Sequence, residues 1–95
     1  MSSLPKFTGR EVTKVFEKFG WRIVRQRGSH IIMVKDEQIA TLSIPDHNEV
    51  AQGTLRGLIR SAGLTVAEFS KAATQLYSSP IPVVEFLNTS PLFQN

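Results

Sequence analysis

The triplet Gly28-Ser29-His30 is the part of this sequence with the clearest chemical potential. Glycine and serine favour a tight turn, and His30 then begins an Ile/Val-rich segment, so its imidazole can remain near solvent. Histidine as a residue type titrates near neutrality, so it can remove a proton in one step and return one in the next. RNA offers the matching chemistry, because a deprotonated 2′-oxygen attacks the adjacent phosphate. The alternative is that His30 only begins a strand, and for a single histidine this plain role is the commoner one.

Basic residues surround the triplet in the sequence. They are Arg22, Arg25, Arg27 and Lys35. Cleavage of a phosphodiester needs at least one cation near the reacting phosphate, to offset the charge that develops there. By sequence distance, Arg25, Arg27 and Lys35 are the candidates.

A second basic feature is the spacing of Arg10, Lys14 and Lys18, which recur at every fourth residue of a predicted helix. This spacing places them on one helix face, where they can follow phosphate groups. The alternative is that they form the solvated back of the helix, where Glu11 and Glu17 dilute the positive charge.

Three more polar residues, further along the chain, could contact a ligand. His47 follows Ile44-Pro45-Asp46 in a predicted loop, where it is free to cap a helix or to touch a ligand. Arg56 and Arg60 lie one turn apart on another predicted helix, and they can hold backbone phosphate or face water. Considered alone, the residue pattern favours structural roles for all three.

Hydrophobic spacing predicts the elements that position these residues. Thr8 and Glu11 have the spacing of a capping box, and the apolar period after them predicts a helix over residues 9–19, followed by Gly20 as a left-handed cap. Short Ile/Val-rich segments then predict an antiparallel meander. Its connections are a tight turn at Gln26-Arg27-Gly28-Ser29 and a short polar connection at Lys35-Asp36-Glu37-Gln38 that suits a hairpin. The predicted strands cover residues 21–26, 30–35 and 38–44.

The second strand, which includes Ile31-Ile32-Met33-Val34, is more apolar than strict alternation requires, so it is predicted to be central with both faces at least partly covered. A helix near Gly53-Thr54 and another over residues 66–77 follow. The proline-containing segment 78–87 cannot open as a helix, and it either packs along the domain or meets a partner. The predicted class is α+β, in the order α-β-β-β-α-α, with helices on a three-stranded antiparallel sheet and an extended tail.

Composition limits the function classes. With 95 residues, 41% of them hydrophobic, we expect one globular domain over residues 1–95, with a core over 8–64 and a C-terminal extension over 65–95. The absence of cysteine excludes disulfides and thiolate metal sites, and the two histidines lack zinc spacing, so no cofactor is expected. No apolar run suits a membrane span or a signal peptide, which predicts a cytoplasmic protein with no membrane partner. The net charge of +3 fits a polyanion partner and a solvated surface equally well.

Taken in order, these motifs resemble the HicA (YcfA-like) family of toxins from toxin-antitoxin systems. The segments that carry the resemblance are Gly9 with the helix after it, Gly20-Trp21, Arg25-Gln26-Arg27-Gly28-Ser29-His30, Ile44-Pro45-Asp46-His47 and Gly53-Thr54-Leu55-Arg56-Gly57-Leu58-Ile59-Arg60. The most specific part is the Gly-Ser-His turn followed by the Pro-x-His loop and the Gly-Thr-Leu helix start. The resemblance covers residues 8 to about 69, and residues 70–95 have no counterpart in it.

The resemblance implies a double-stranded-RNA-binding-domain-like α-β-β-β-α fold that acts as a ribosome-independent mRNA endonuclease and is neutralised by a HicB-like antitoxin. It also implies that His30 is the catalytic residue and that Gly28 shapes the turn, so the catalytic interpretation of His30 is now preferred. Ser29 matches the motif as well, and His47 matches a second family histidine, for which we infer only a structural or secondary role. DNA is expected as a partner only through the antitoxin complex.

The resulting hypothesis is a metal-independent mRNA endonuclease with His30 as its catalytic residue. Its predicted RNA-binding residues are Gly28, Ser29, Arg25, Arg27, Lys35, Lys14, Arg56 and Arg60. Two alternatives stay open: a module that binds structured RNA without cleaving it, and an adaptor that binds protein through its sheet or C-terminal segment. Separately from these alternatives, the C-terminal segment is a candidate homodimer contact.

Overall fold

The computed structural model describes residues 4–77, which follow the predicted order α-β-β-β-α-α. The elements are α1 (Gly9–Glu17), β1 (Arg22–Arg27), β2 (His30–Val34), β3 (Leu42–Pro45), α2 (Gln52–Ser61) and α3 (Val66–Tyr77). The α+β class and the α-β-β-β-α order implied by the resemblance are therefore confirmed. The predicted tail lies outside the described residues. Within residues 4–77, no helix is long and apolar enough to cross a membrane.

The capping box predicted for the first helix is present. The hydroxyl of Thr8 accepts a hydrogen bond from the Glu11 amide at 3.0 Å, and the Glu11 carboxylate accepts one from the Thr8 amide at 2.9 Å. The helix ends at Glu17, two residues before the predicted end. Gly20 then adopts a φ of +97°, a left-handed conformation that glycine tolerates best, and the chain reverses towards β1.

The sheet is antiparallel in the order β1-β2-β3, so β2 is central as predicted. Gly28 and Ser29 form a two-residue turn between Arg27 and His30, and Gly28 has the positive φ of +58° that such turns require. A bulge between Ile23 and Arg25 shifts the register of β1. Bulges are common at sheet edges, where they disturb the ladder that another strand would extend.

The third strand is shorter than predicted, because residues 38–41 are not part of the sheet. The Gln38 amide bonds to the Lys35 carbonyl at 3.1 Å, and Glu37 adopts a left-handed φ of +67°. This turn directs the chain away from β2 and leaves Ile39 fully exposed. The predicted hairpin between the second and third strands is present, but its connection is longer than predicted, and the predicted start of the third strand at residue 38 was wrong.

The two faces of the sheet have different roles. Alternation places Ile31 and Met33 on one face, where they enter the hydrophobic core with Leu42 and Ile44. The helices pack on this face, and their buried residues include Val12, Val15, Phe16, Leu55, Ile59 and Phe69. We call it the helix side. The other face, which we call the His30 face, carries His30 and Ile32 of the same strand. Ile32 is only 8% exposed, which agrees with the predicted partial cover of both faces.

The helix α3 also packs on the helix side. Its start has a capping box, in which Thr65 and Glu68 exchange hydrogen bonds of 3.0 and 2.8 Å. Its Phe69 ring contacts the rings of Phe7 and Phe16 edge-on, at centroid distances of 5.5 and 5.3 Å. The aromatic cluster fixes α3 against α1, so the three helices within residues 4–77 lie opposite the face that carries His30.

Candidate functional site

His30 is exposed at the first position of β2, directly after the Gly28-Ser29 turn. In the sheet register it lies opposite Arg27 on one side and Pro45 on the other. Directly paired residues in an antiparallel sheet point to the same face, with their Cβ atoms about 4.5–5.5 Å apart. The imidazole therefore lies beside the Arg27 side chain.

Arg25 joins the same surface. It pairs with Ile32, which places it diagonally across from His30, at about 7–8 Å between backbone positions. Among residues 4–77, the two ion pairs engage Arg10 and Arg22, so Arg25 and Arg27 are both unpaired there. Both are exposed. An anion placed over His30 therefore lies within reach of two guanidinium groups that have no competing carboxylate in this part of the chain.

The turn before His30 is held from the helix side by backbone and side-chain donors. The Asp46 amide donates to the Ser29 carbonyl at 2.7 Å. The side-chain amide of Gln26 donates to the Gly28 carbonyl at 3.2 Å. Both turn residues are therefore held in place by hydrogen bonds to their backbone carbonyls. The Ser29 side chain is exposed and takes part in none of the hydrogen bonds found within residues 4–77.

Asp46 is the centre of a polar cluster that sequence reasoning did not find. Arg10 donates to its carboxylate from Nε at 3.3 Å and from Nη2 at 3.2 Å, and Gln26 donates from Nε2 at 3.1 Å. The Arg10 Nη2 also donates to Gln26 Oε1 at 3.3 Å. The hydrogen bond from Arg10 is the largest cause that lowers the pKa of Asp46 below 3.8, and burial opposes it while Gln26 and the charges of Arg10 and His47 support it.

The loop that carries Asp46 lies against the start of α1. The Gly9 amide donates to the His47 carbonyl at 2.9 Å. A Cβ atom at Gly9 would lie 2.0 Å from the Pro45 carbonyl oxygen and 2.9 Å from the Asp46 Cα. Only glycine allows this approach. The His47 side chain itself is exposed, so the part of His47 that the fold uses is its backbone.

The other predicted RNA-binding residues do not join Arg25 and Arg27. Lys35 follows the far end of β2, where its Cε lies 3.3 Å from the position that a Gly20 Cβ would occupy. Lys14, Arg56 and Arg60 lie on helices that pack on the helix side. Their contribution to RNA binding stays a prediction, at a distance from the His30 face.

Two findings refine the chemistry that was predicted for this surface. Arg10, which was predicted to extend a basic stripe with Lys14 and Lys18, is instead bound to Asp46 and Gln26. No group of three or more histidine, aspartate or glutamate side chains is placed to hold a metal ion in residues 4–77. The His30 face presents an exposed imidazole beside Arg25 and Arg27.

Comparison with known proteins identifies the family. The family model for the HicA toxin of bacterial toxin-antitoxin systems matches residues 9–64, which contain the His30 turn, the Asp46 cluster and every element except α3. No curated protein and no solved structure matches the chain. The match spans more than half of the sequence and contains most of the segments that carry the resemblance described above. The chain therefore belongs to the HicA family, the toxins of bacterial toxin-antitoxin systems, and an antitoxin partner follows from that membership.

Proposed function

We propose that this toxin is a ribosome-independent mRNA endonuclease in which His30 moves the proton. The observation that carries the proposal is the position of exposed His30 opposite Arg27 and diagonal to Arg25, on a sheet face away from the helices. An imidazole supplies proton transfer near neutral pH, and the two arginines supply positive charge at the same place.

The proposed reaction is an internal transfer at phosphorus. His30 removes the proton of a ribose 2′-OH, and the 2′-oxygen attacks the adjacent phosphorus as the bond to the 5′-oxygen breaks. The 5′-oxygen takes up a proton, which the His30 imidazolium can return. The products are a 2′,3′-cyclic phosphate and a 5′-hydroxyl end. Negative charge grows on the phosphate oxygens during attack, and Arg25 and Arg27 stabilise it.

The test is cleavage of a defined single-stranded RNA by purified protein without ribosomes. A positioned general acid or base contributes about 10²–10⁴-fold, so His30→Ala should lower kcat by that range while retaining RNA affinity. His47→Ala is the matched control, because it removes the other exposed histidine and should retain most of the activity. Equal cleavage by wild type and His30→Ala would contradict the proposal. So would cleavage of RNA that carries 2′-O-methyl groups throughout.

The remaining parts of the proposal concern cofactor, location and partner. Cleavage should persist in a chelator, because the reaction uses imidazole and guanidinium groups. The proposed location is the cytoplasm, where mRNA is found, and the proposed antitoxin is HicB-like. Expression of the toxin should arrest growth, and co-expression with that antitoxin should relieve the arrest. Growth arrest that is equal for wild type and His30→Ala would refute the catalytic assignment.

Binding without cleavage is the alternative that this experiment excludes or selects. Salt-sensitive affinity for structured RNA, with intact RNA recovered after long incubation, would identify a binding module. The position of His30 beside two arginines that form no ion pair within residues 4–77 is the reason to favour cleavage over simple binding, since phosphate binding alone has no use for a proton-transfer group.

A further inference from the structure

We propose that the cluster of Arg10, Asp46 and Gln26 positions the turn that presents His30. For its effect on catalysis the inference rests on the proposed function, and for its effect on the turn it stands by itself. The three side chains come from α1, the loop after β3, and β1, so the cluster joins distant parts of the chain directly beneath the turn.

The hydrogen bonds of the cluster end on the turn itself. Gln26 uses one amide nitrogen for two acceptors, the Asp46 carboxylate at 3.1 Å and the Gly28 carbonyl at 3.2 Å. The Asp46 backbone amide holds the Ser29 carbonyl at 2.7 Å. Both residues before His30 are therefore held by groups whose position depends on Asp46.

Sheet geometry explains how this support acts without blocking the reactive surface. Gln26 pairs with the core residue Ile31, so its side chain points to the helix side, where Arg10 meets it. His30 follows the turn and lies on the opposite face. The cluster can therefore hold the turn from below while the imidazole remains open to substrate.

Arg10 orients the Asp46 carboxylate by a two-point contact. Its Nε and Nη2 each bind one carboxylate oxygen, and Nη2 also reaches Gln26 Oε1. This planar fork fixes direction as well as distance, which a lysine ammonium cannot do. Asp46 then has three donors to satisfy, two from Arg10 and one from Gln26. An asparagine, with one oxygen and one NH₂ group, cannot accept from both sides.

A second ion pair provides the comparison that separates positioning from general stability. Arg22 and Asp36 are 3.3 Å apart, and their side chains are 58% and 86% exposed. The Arg10–Asp46 pair is also partly exposed, at 62% and 26%. Surface ion pairs contribute about 0–1 kcal/mol each, so loss of either pair is expected to lower stability only slightly. Only the pair with Asp46 is connected to the turn.

The experiment compares Asp46→Asn with Asp36→Asn in the full chain. Amide chemical shifts and relaxation of Gly28 and Ser29 should change in Asp46→Asn and remain unchanged in Asp36→Asn. On RNA, Asp46→Asn should lower kcat by about 10- to 100-fold with KM nearly unchanged, because a displacement of about 1 Å can cost 10²-fold. Arg10→Lys retains the charge but loses the planar two-point contact. It should show the same changes in the amide chemical shifts of the turn and the same decrease in kcat.

The two readouts separate this inference from the proposed function. If the amide chemical shifts and relaxation of Gly28 and Ser29 are unchanged in both Asp46→Asn and Arg10→Lys, the positioning role is overturned, whatever the activity. A rise in KM at constant kcat would also overturn it, since that result assigns the cluster to RNA binding. If the wild type proves inactive on RNA, the proposed function fails, while shifted turn amides would still support the positioning of His30. If Asp46→Asn does not fold, Arg10→Lys decides.

Discussion

Replacement of Gly9 by alanine tests the contact between α1 and the Pro45-Asp46-His47 loop. The added Cβ would lie 2.0 Å from the Pro45 carbonyl oxygen, where about 3.0 Å is the closest ordinary approach. The Pro45 oxygen belongs to the backbone and the Cβ is fixed by the helix backbone, so no flexible side chain can move aside, and the helix start and the loop must separate by about 1 Å. Such overpacking costs about 1–3 kcal/mol.

Two smaller effects accompany the clash. Separation weakens the 2.9 Å hydrogen bond from the Gly9 amide to the His47 carbonyl, which contributes about 1 kcal/mol. Alanine also reduces the entropy of the unfolded chain, which returns about 0.4–1 kcal/mol. The net destabilisation should be about 2 kcal/mol, and the melting temperature should fall by about 10 °C in a domain of this size.

Gly57→Ala is the matched control. Gly57 lies inside α2 and has no neighbouring atom within 4 Å of an added Cβ, so alanine should stabilise the protein by about 0.5–1 kcal/mol. Thermal and urea unfolding of the two variants should therefore shift in opposite directions. A Gly9→Ala protein as stable as Gly57→Ala would refute the close approach and the loop position derived from it.

Three further outcomes are expected. Because the hydrogen bond from Arg10 lowers the pKa of Asp46 below 3.8, the ionised carboxylate stabilises the fold above that pH and loses this effect as the pH falls through the lowered value. The difference in unfolding free energy between wild type and Asp46→Asn should therefore be smaller near pH 2 than near pH 6, and a difference of equal size at both would contradict this. Arg27→Gln should weaken RNA binding and reduce the slope of log affinity against log salt by about 0.7, and Lys71→Gln on α3 should leave both unchanged. Thr8→Ala should remove the capping box and cost about 1 kcal/mol, measured by urea unfolding.

The elements predicted correctly are those whose signals are local. A capping box depends on two residues three apart, so Thr8 with Glu11 located the start of α1 from sequence alone. Gly20 and Gly28 were also identifiable, because a helix end and a two-residue turn each need a positive φ. The start of β3 was missed because an apolar Ile39 suggested a strand, and the left-handed turn at Glu37 that moves it into solvent has no glycine to mark it.

The candidate site likewise has one part that local signals predict and one part that depends on contacts between distant segments. His30 and its two arginines were predictable because one hairpin brings them together, and the register places Arg27 directly opposite. The Asp46 cluster was not, since it depends on how α1 docks against a loop that follows a different strand. The available signal was Gly9, a glycine at the first position of a helix that already had a Thr8 cap and therefore needed another explanation.

Contacts from outside the hairpin support the proposed chemistry by holding the turn before His30. A hairpin by itself would place His30 on a turn free to move, because an isolated two-stranded hairpin is marginally stable in water. Here the turn is held by Asp46 and Gln26, and the loop that carries Asp46 is held by the backbone of Gly9. The position of the imidazole therefore depends on the docking of α1 on the helix side of the sheet. A change at Gly9 should consequently disturb the proposed cleavage as well as stability, although this residue lies on the side of the sheet opposite His30.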